Sequence, residues 1–224
     1  MSKSDLTLVP FDHTYILYAP GSFVLSLPLA ACSLLPILVL VFLFSWHILT
    51  RELEPCLFAF GHVCNDIISG IFKKIFKYPR PINGQIFKQD SGLAWGMPSS
   101  HSQFMAFWFT YTFFMYIKNN PNKRFSKIEK IIFTIISINV VLLVVASRII
   151  FEYHNWNQIN VGLLLGSSLA CIYYIIVCVL REYGFFDFLL KINIFKWWKM
   201  KDNFGRGNFK TLEEERNEWE RLVN

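Results

Sequence analysis

From Phe23 to Leu49 the chain carries no Asp, Glu, Lys or Arg. About 20 apolar residues suffice for a helix to cross a bilayer, so this run reads as a membrane span. Four more stretches read the same way. They are Pro55–Phe76, with Asp66, Lys73 and Lys74 embedded, Ser99–Ile117, Ile131–Phe151, with Arg148 near its end, and Asn160–Leu180. Gly184–Phe195 is apolar but too short to span, and fits an interfacial or re-entrant segment. Hydrophobic residues make up 54% of the 224 positions, against roughly 45–50% in soluble domains. That excess excludes a soluble enzyme, a disordered chain and a disulfide-stapled secreted module. The expected fold is all-α, a polytopic transmembrane helix bundle of about five spans. At roughly 100–200 residues per domain, it divides into an N-terminal segment (1–22), one membrane-embedded domain (23–180) and an interfacial segment with a tail (181–224).

Charge orients the bundle. The net charge is +6, and it is concentrated. Lys118, Lys123, Arg124, Lys127 and Lys130 face a single Glu129, and a second basic tract runs from Arg181 to Lys210. In so apolar a chain these tracts read as cytoplasmic loops under the positive-inside bias rather than as a nucleic-acid surface. Five spans put the basic loop and the C-terminus on that side. The N-terminus, the Tyr78–Pro98 loop and the Glu152–Ile159 loop then lie on the other. The first 22 residues are mostly polar or mixed, so the first span acts as a retained signal anchor. The five cysteines lie in apolar stretches without zinc spacing and read as buried thiols. Near the C-terminus, Thr211 with Glu214 marks a capped short helix.

Ionisable residues inside spans are costly and point to function. Here they gather at the span ends on the non-cytoplasmic side. The second span ends with Lys73 and leads to Arg80-Pro81. The third opens Pro98-Ser99-Ser100-His101. The fourth ends Ser147-Arg148, and His154 follows. A helix N-terminus at Ser99–His101 offers free amides to phosphate. Lys73, Arg80 and Arg148 can neutralise three phosphoryl oxygens. One histidine can attack phosphorus while the other protonates the departing oxygen. The facing loops hold only Asp90 and Glu152 as acids, too few for a two-metal site, so no metal or other cofactor is expected. Lys74 and Lys77 read as lysines snorkelling to the interface. His13, His47 and His62 match no motif and read as structural. Asp66 either balances the cationic site or pairs with a neighbouring span.

These residues resemble the type-2 phosphatidic acid phosphatase superfamily, which shares its site with vanadium haloperoxidases. The resemblance rests on three ordered parts. Lys73 precedes Arg80-Pro81 by six intervening residues, Pro98-Ser99-Ser100-His101 forms the second part, and Ser147-Arg148 precedes His154 by five. Two positions depart from the wider pattern: Ser100 replaces Gly, and Gln158 replaces the Asp four residues after the histidine. Both departures, with Gly96–Met105 and His154-x-Trp156-x-Gln158, are similar to the eukaryotic dolichyl-diphosphatase branch, and to its fungal members most of all. Arg51-Glu52-Leu53 and the stretch from Val9 to Gly21 also look similar.

The resemblance implies a multi-pass endoplasmic-reticulum membrane phosphatase with a lumenal site and a cytoplasmic C-terminus. It would hydrolyse dolichyl diphosphate to dolichyl phosphate and phosphate, recycling the lipid carrier of N-glycosylation. By the same resemblance His154 is the nucleophile that forms phosphohistidine, Gln158 its partner and His101 the general acid. Lys73, Arg80, Ser99, Ser100 and Arg148 bind phosphate, and the partners are the polyprenyl substrate and the bilayer. Two other readings stand beside it: a related phosphatase for phosphatidate or a sphingoid-base phosphate, and an inactive protein that binds lipid phosphate.

Overall fold

Among the described residues, five long helices stand where the apolar runs are. A 3-10 turn, Cys32–Leu34, leads into α1 (Leu35–Thr50). Then come α2 (Glu54–Phe76), α3 (Ser100–Lys118), α4 (Lys127–Ile150) and α5 (Trp156–Glu182). Short helices α6 (Phe185–Leu190), α7 (Asn193–Trp197) and α8 (Asn203–Arg206) follow, and α9 (Leu212–Val223) comes last among the described residues. This computed structural model describes residues 28–29, 31–81, 95–118, 126–206 and 212–223. The N-terminal segment, the start of the first expected span, Asp90, the middle of the basic loop and Thr211 lie outside them. Pro36 and Pro55 occupy the first turns of α1 and α2, where a missing N–H costs nothing. Ser126 and Glu129 close a capping box at the start of α4.

The turn from Cys32 with α1, together with α2, α4 and α5, is long and apolar enough to cross a membrane. Their outer faces carry residues such as Phe42, Phe44, Ile135, Leu142 and Leu164, all exposed, as a surface meeting lipid requires. Helix α3 is different. Its Ser102, Gln103, Met105, Phe107, Tyr111 and Thr112 are all buried. Being enclosed by its neighbours, it can carry polar groups that a lipid-facing helix cannot.

Helices α3 and α5 approach at backbone distance. A Cβ on Gly166 would lie 2.2 Å from the Gln103 carbonyl oxygen, and one on Gly162 2.8 Å from that of Ser99. This is small-xxx-small packing. It holds the first turn of α3 against the first turns of α5.

The expected short segment after α5 forms α6 and α7 and packs back on the bundle. Leu53, Val177 and Phe186 share a core there with Leu189 and Met200. The strand-like bridge between Glu52 and Lys201 joins this segment to the α1–α2 turn, with Leu53 N–H donating to Lys201 O at 2.8 Å and Lys201 N–H to Arg51 O at 3.0 Å. The resemblance at Arg51-Glu52-Leu53 thus falls on a docking turn. Arg51 stacks on Trp198 at 3.8 Å. The five cysteines are free but half-buried rather than buried.

Candidate active site

Three chain segments meet at the end of the bundle opposite that docking turn. Helix α2 ends at Phe76, just past Lys73: Lys77, left-handed at φ 47°, caps it, donating its N–H to Lys73 O. The chain then crosses beneath the α4–α5 connection. Gly96 N–H donates to Tyr78 O at 2.8 Å, and the Gln158 amide nitrogen donates to Pro79 O at 2.7 Å. The two carbonyls that lead into Arg80 are thereby held in place. Gly96 has to be glycine, since a Cβ would meet Gln158 Nε2 at 2.6 Å and Arg80 Cγ at 2.9 Å.

At the start of α3, Lys73 Nζ donates to Ser100 Oγ at 2.5 Å, and Ser69, one turn before Lys73, lies 3.3 Å from the same hydroxyl. Ser99 is fully buried. Its hydroxyl accepts from Ser102 at 3.1 Å, and its N–H donates to Gln158 O at 3.1 Å. The amides of Ser100 and His101 open the helix, where no intrahelical acceptor exists for them. Deeper in the same interface, Gln103 donates to Asn65 Oδ1 and O, both at 2.9 Å.

The connection between α4 and α5 explains the spacing of Arg148 and His154. The Arg148 carbonyl accepts from both Tyr153 N–H (3.0 Å) and His154 N–H (3.2 Å). The chain returns through Glu152 at φ 55°. Five intervening residues are what this tight return needs to bring the His154 backbone back to the Arg148 carbonyl. The Arg148 guanidinium is buried, receives the Tyr153 ring at 4.5 Å and donates from Nε to Ser147 Oγ at 3.1 Å. Among the described residues no carboxylate pairs with it. A buried cation without a counter-charge is costly, and an anionic ligand removes that cost.

His154 is buried, and its Nδ1 lies 3.0 Å from Gln158 Oε1. The neighbours of Gln158 settle which proton is where. Pro79 O can only accept, so Nε2 of Gln158 faces it. Asn155 N–H can only donate, and it points at Oε1. Oε1 is therefore the atom facing His154, so Nδ1 carries the imidazole proton and Nε2 keeps its lone pair. Gln158 also completes the capping box of α5 with Asn155, whose Oδ1 accepts from Gln158 N–H at 3.0 Å. Asn155-x-x-Gln158 is the sequence signal of this arrangement, and the amide does what a carboxylate in its place could not, because it donates to Pro79.

Burial depresses the His154 pKa well below the ordinary histidine value of 6.5, and the positive charges of Arg80, Lys73 and His101 act in the same direction. The hydrogen bond that His154 donates to Gln158 opposes them and is outweighed. His101 points at the carbonyl of Ser33, with Nε2 at 3.3 Å.

All three sequence clusters therefore converge on one end of the bundle. Lys74 and Lys77 are exposed outside it. Asp66 is exposed on α2 with no ion pair among the described residues. His62 packs between Phe58 and Phe104 in the core, and His47 accepts from Trp198 at the far end. Sequence reasoning missed Ser33, Ser69, Ser102 and the Pro79 carbonyl. Of these, only Ser69 had a signal, since it lies four residues before Lys73 on the same helix face.

The PAP2 superfamily matches residues 54–181 of the chain. Over 217 residues the chain is 40% identical to Dolichyldiphosphatase of Saccharomyces cerevisiae, covering 96% of this chain and 90% of that one. It is 32% identical over 170 residues to Dolichyldiphosphatase 1 of Homo sapiens, covering 74% and 70%. It is 28% identical over 170 residues to the Palmitoyl-protein thioesterase-dolichyl pyrophosphate phosphatase fusion 1 of Schizosaccharomyces pombe, covering 76% of this chain and 26% of the fusion. No solved structure matches the chain to a significant level.

Proposed function

The chain belongs to the PAP2 superfamily, and from that premise we propose that it hydrolyses dolichyl diphosphate to dolichyl phosphate and phosphate through a phosphohistidine. The observation that carries the mechanism is the fixed tautomer of His154: Gln158 Oε1 holds the Nδ1 proton, leaving Nε2 free to attack. The substrate follows the relatives' names, the yeast relative above all.

The terminal phosphoryl group lies among Lys73, Arg80, Arg148, the Ser100 hydroxyl and the opening amides of α3, with Ser99 holding that turn. His154 Nε2 attacks phosphorus as the bond to the bridging oxygen breaks. His101 gives that oxygen its proton, and dolichyl phosphate leaves. His101, now neutral, takes a proton from water, whose oxygen attacks the phosphohistidine. Phosphate is released and both histidines return to their starting states. The cations stabilise charge on the equatorial oxygens in both steps. No metal takes part.

Detergent-solubilised protein should release phosphate from dolichyl diphosphate in preference to phosphatidate, and excess EDTA should leave the rate unchanged. Equal or faster turnover of phosphatidate would move the assignment to the second reading. Loss with EDTA and recovery with magnesium would end the metal-free mechanism.

The pH profile follows from the depressed His154 pKa. A lowered pKa keeps the ring neutral and nucleophilic through neutral pH. The acid limb of kcat/KM assigned to His154 therefore lies below pH 6.5. Gln158→Glu places a carboxylate beside Nδ1, favours imidazolium, and should move that limb upward. It also sets a carboxylate oxygen against Pro79 O, so kcat should fall by about 10²-fold. A limb that stays in place would exclude Gln158 as the partner of the titrating group.

The basic loop and tail orient the site toward the lumen of the endoplasmic reticulum, with the C-terminus cytoplasmic. There the product serves as the recycled carrier for N-glycosylation. A glycosylation acceptor inserted within Tyr78–Pro98 should be modified, and one placed after Lys201 should not. The reverse pattern would invert the topology.

A further inference from the structure

Ser33 belongs to none of the three motif parts, yet it touches two of them. It sits in the 3-10 turn before α1 and is buried. Its hydroxyl accepts from Arg148 Nη2, and its carbonyl lies 3.3 Å from His101 Nε2. The two contacts come from α4 and α3. Resting on the phosphatase reading above, we infer that Ser33 is a positioning residue for the reaction, aiming the Arg148 guanidinium with its hydroxyl and the His101 ring with its carbonyl.

The local sequence makes the carbonyl available. Three residues on stands Pro36, which has no N–H to give the 3-10 hydrogen bond, and the regular helix begins only at Leu35. The Ser33 carbonyl is thus left to a side-chain donor. A carbonyl only accepts, so His101 carries a proton on Nε2 in this arrangement.

The hydroxyl completes a three-point hold on Arg148. Ser147 takes Nε, its own hydroxyl donating to Val144 O at 2.7 Å. Ser33 takes Nη2. The Tyr153 ring covers one face of the guanidinium. These contacts leave Nη1 for a phosphoryl oxygen. A long side chain held this way loses little freedom when the charge on phosphorus builds, which is how preorganised donors act on a transition state.

Four variants, compared with wild type by two readouts, test this. Hydrogen bonds to charged groups are the strong ones, so Ser33→Ala should lower kcat about 10- to 100-fold with KM changed less than about threefold. Orthovanadate adopts the five-coordinate geometry of the transferring phosphorus, and its affinity should fall by a similar factor. Ser33→Thr, which keeps the hydroxyl, should recover most of both losses. In an Arg148→Lys background, Ser33→Ala should cost less than about twofold, because the group it aims is gone.

A purely structural Ser33 would lower yield and thermal stability while leaving kcat and vanadate affinity of the folded protein unchanged. That result, or losses that multiply with Arg148→Lys, overturns the inference. Wild-type protein that binds orthovanadate but leaves dolichyl diphosphate intact would defeat the substrate assignment alone, and the binding series would still read Ser33. Wild-type protein that neither turns over nor binds orthovanadate overturns both.

Discussion

His154→Ala should lower turnover by at least about 10⁴-fold, the scale on which loss of a covalent nucleophile acts. Binding should survive, since Lys73, Arg80 and Arg148 remain in place and inorganic phosphate needs only their charge. The variant should also fold. The His154 backbone N–H still donates to Arg148 O, and Gln158 keeps its bonds to Pro79 and Asn155. His101→Ala should lose about 10²–10⁴-fold, the usual contribution of a general acid, and should accumulate phosphoenzyme from a substrate with a good leaving group. Rapid quench with substrate labelled in the terminal phosphate reads both. Wild type should carry acid-labile, base-stable label, and His154→Ala none. Turnover of His154→Ala near the wild-type rate would refute the mechanism.

Arg181→Met should destabilise the protein by about 3–5 kcal/mol, the range for stripping one partner from a buried ion cluster. Arg181 lies at the far end of α5 from the site. It pairs there with Glu54 and, at 2.9 Å from Nε, with Asp202. Glu54 is fully buried and also accepts from Tyr111 OH at 2.7 Å. Removing the guanidinium leaves two buried carboxylates close together with no cation between them. The nearby Glu52 carboxylate accepts from Asn203 N–H at 3.1 Å and Nδ2 at 2.6 Å, so the segment after α5 loses half its attachment rather than all of it. Adding Glu54→Gln and Asp202→Asn to Arg181→Met should recover part of the loss, because the uncompensated charge is then gone. Thermal unfolding in detergent measures the series. A loss below about 1 kcal/mol for Arg181→Met would mean the cluster is solvated and contributes little.

Membrane crossing was legible from the residues because it needs only local information. A helix that faces lipid must be apolar over some 20 consecutive residues, and the turn from Cys32 with α1, α2, α4 and α5 meets that requirement without reference to any partner. The three site clusters were legible for a related reason. Lys73 with Arg80, Ser99 with Ser100 and His101, and Arg148 with His154 are each set by short-range geometry: a helix end, a helix start, and a return that places two amides on one carbonyl. What the chain alone could not state is which helix is enclosed. Helix α3 carries Gln103 and Thr112 in its interior face, and only packing shows that these never meet lipid. The glycines that let α5 approach it, the Pro79 carbonyl that orients the Gln158 amide, the Ser33 turn under Arg148 and the Arg181–Glu54–Asp202 cluster all join residues far apart in sequence. Such contacts exist only once helices have chosen neighbours. Apolar periodicity cannot encode that choice, because in a membrane nearly every helix face is apolar, and close packing with buried hydrogen bonds makes it instead.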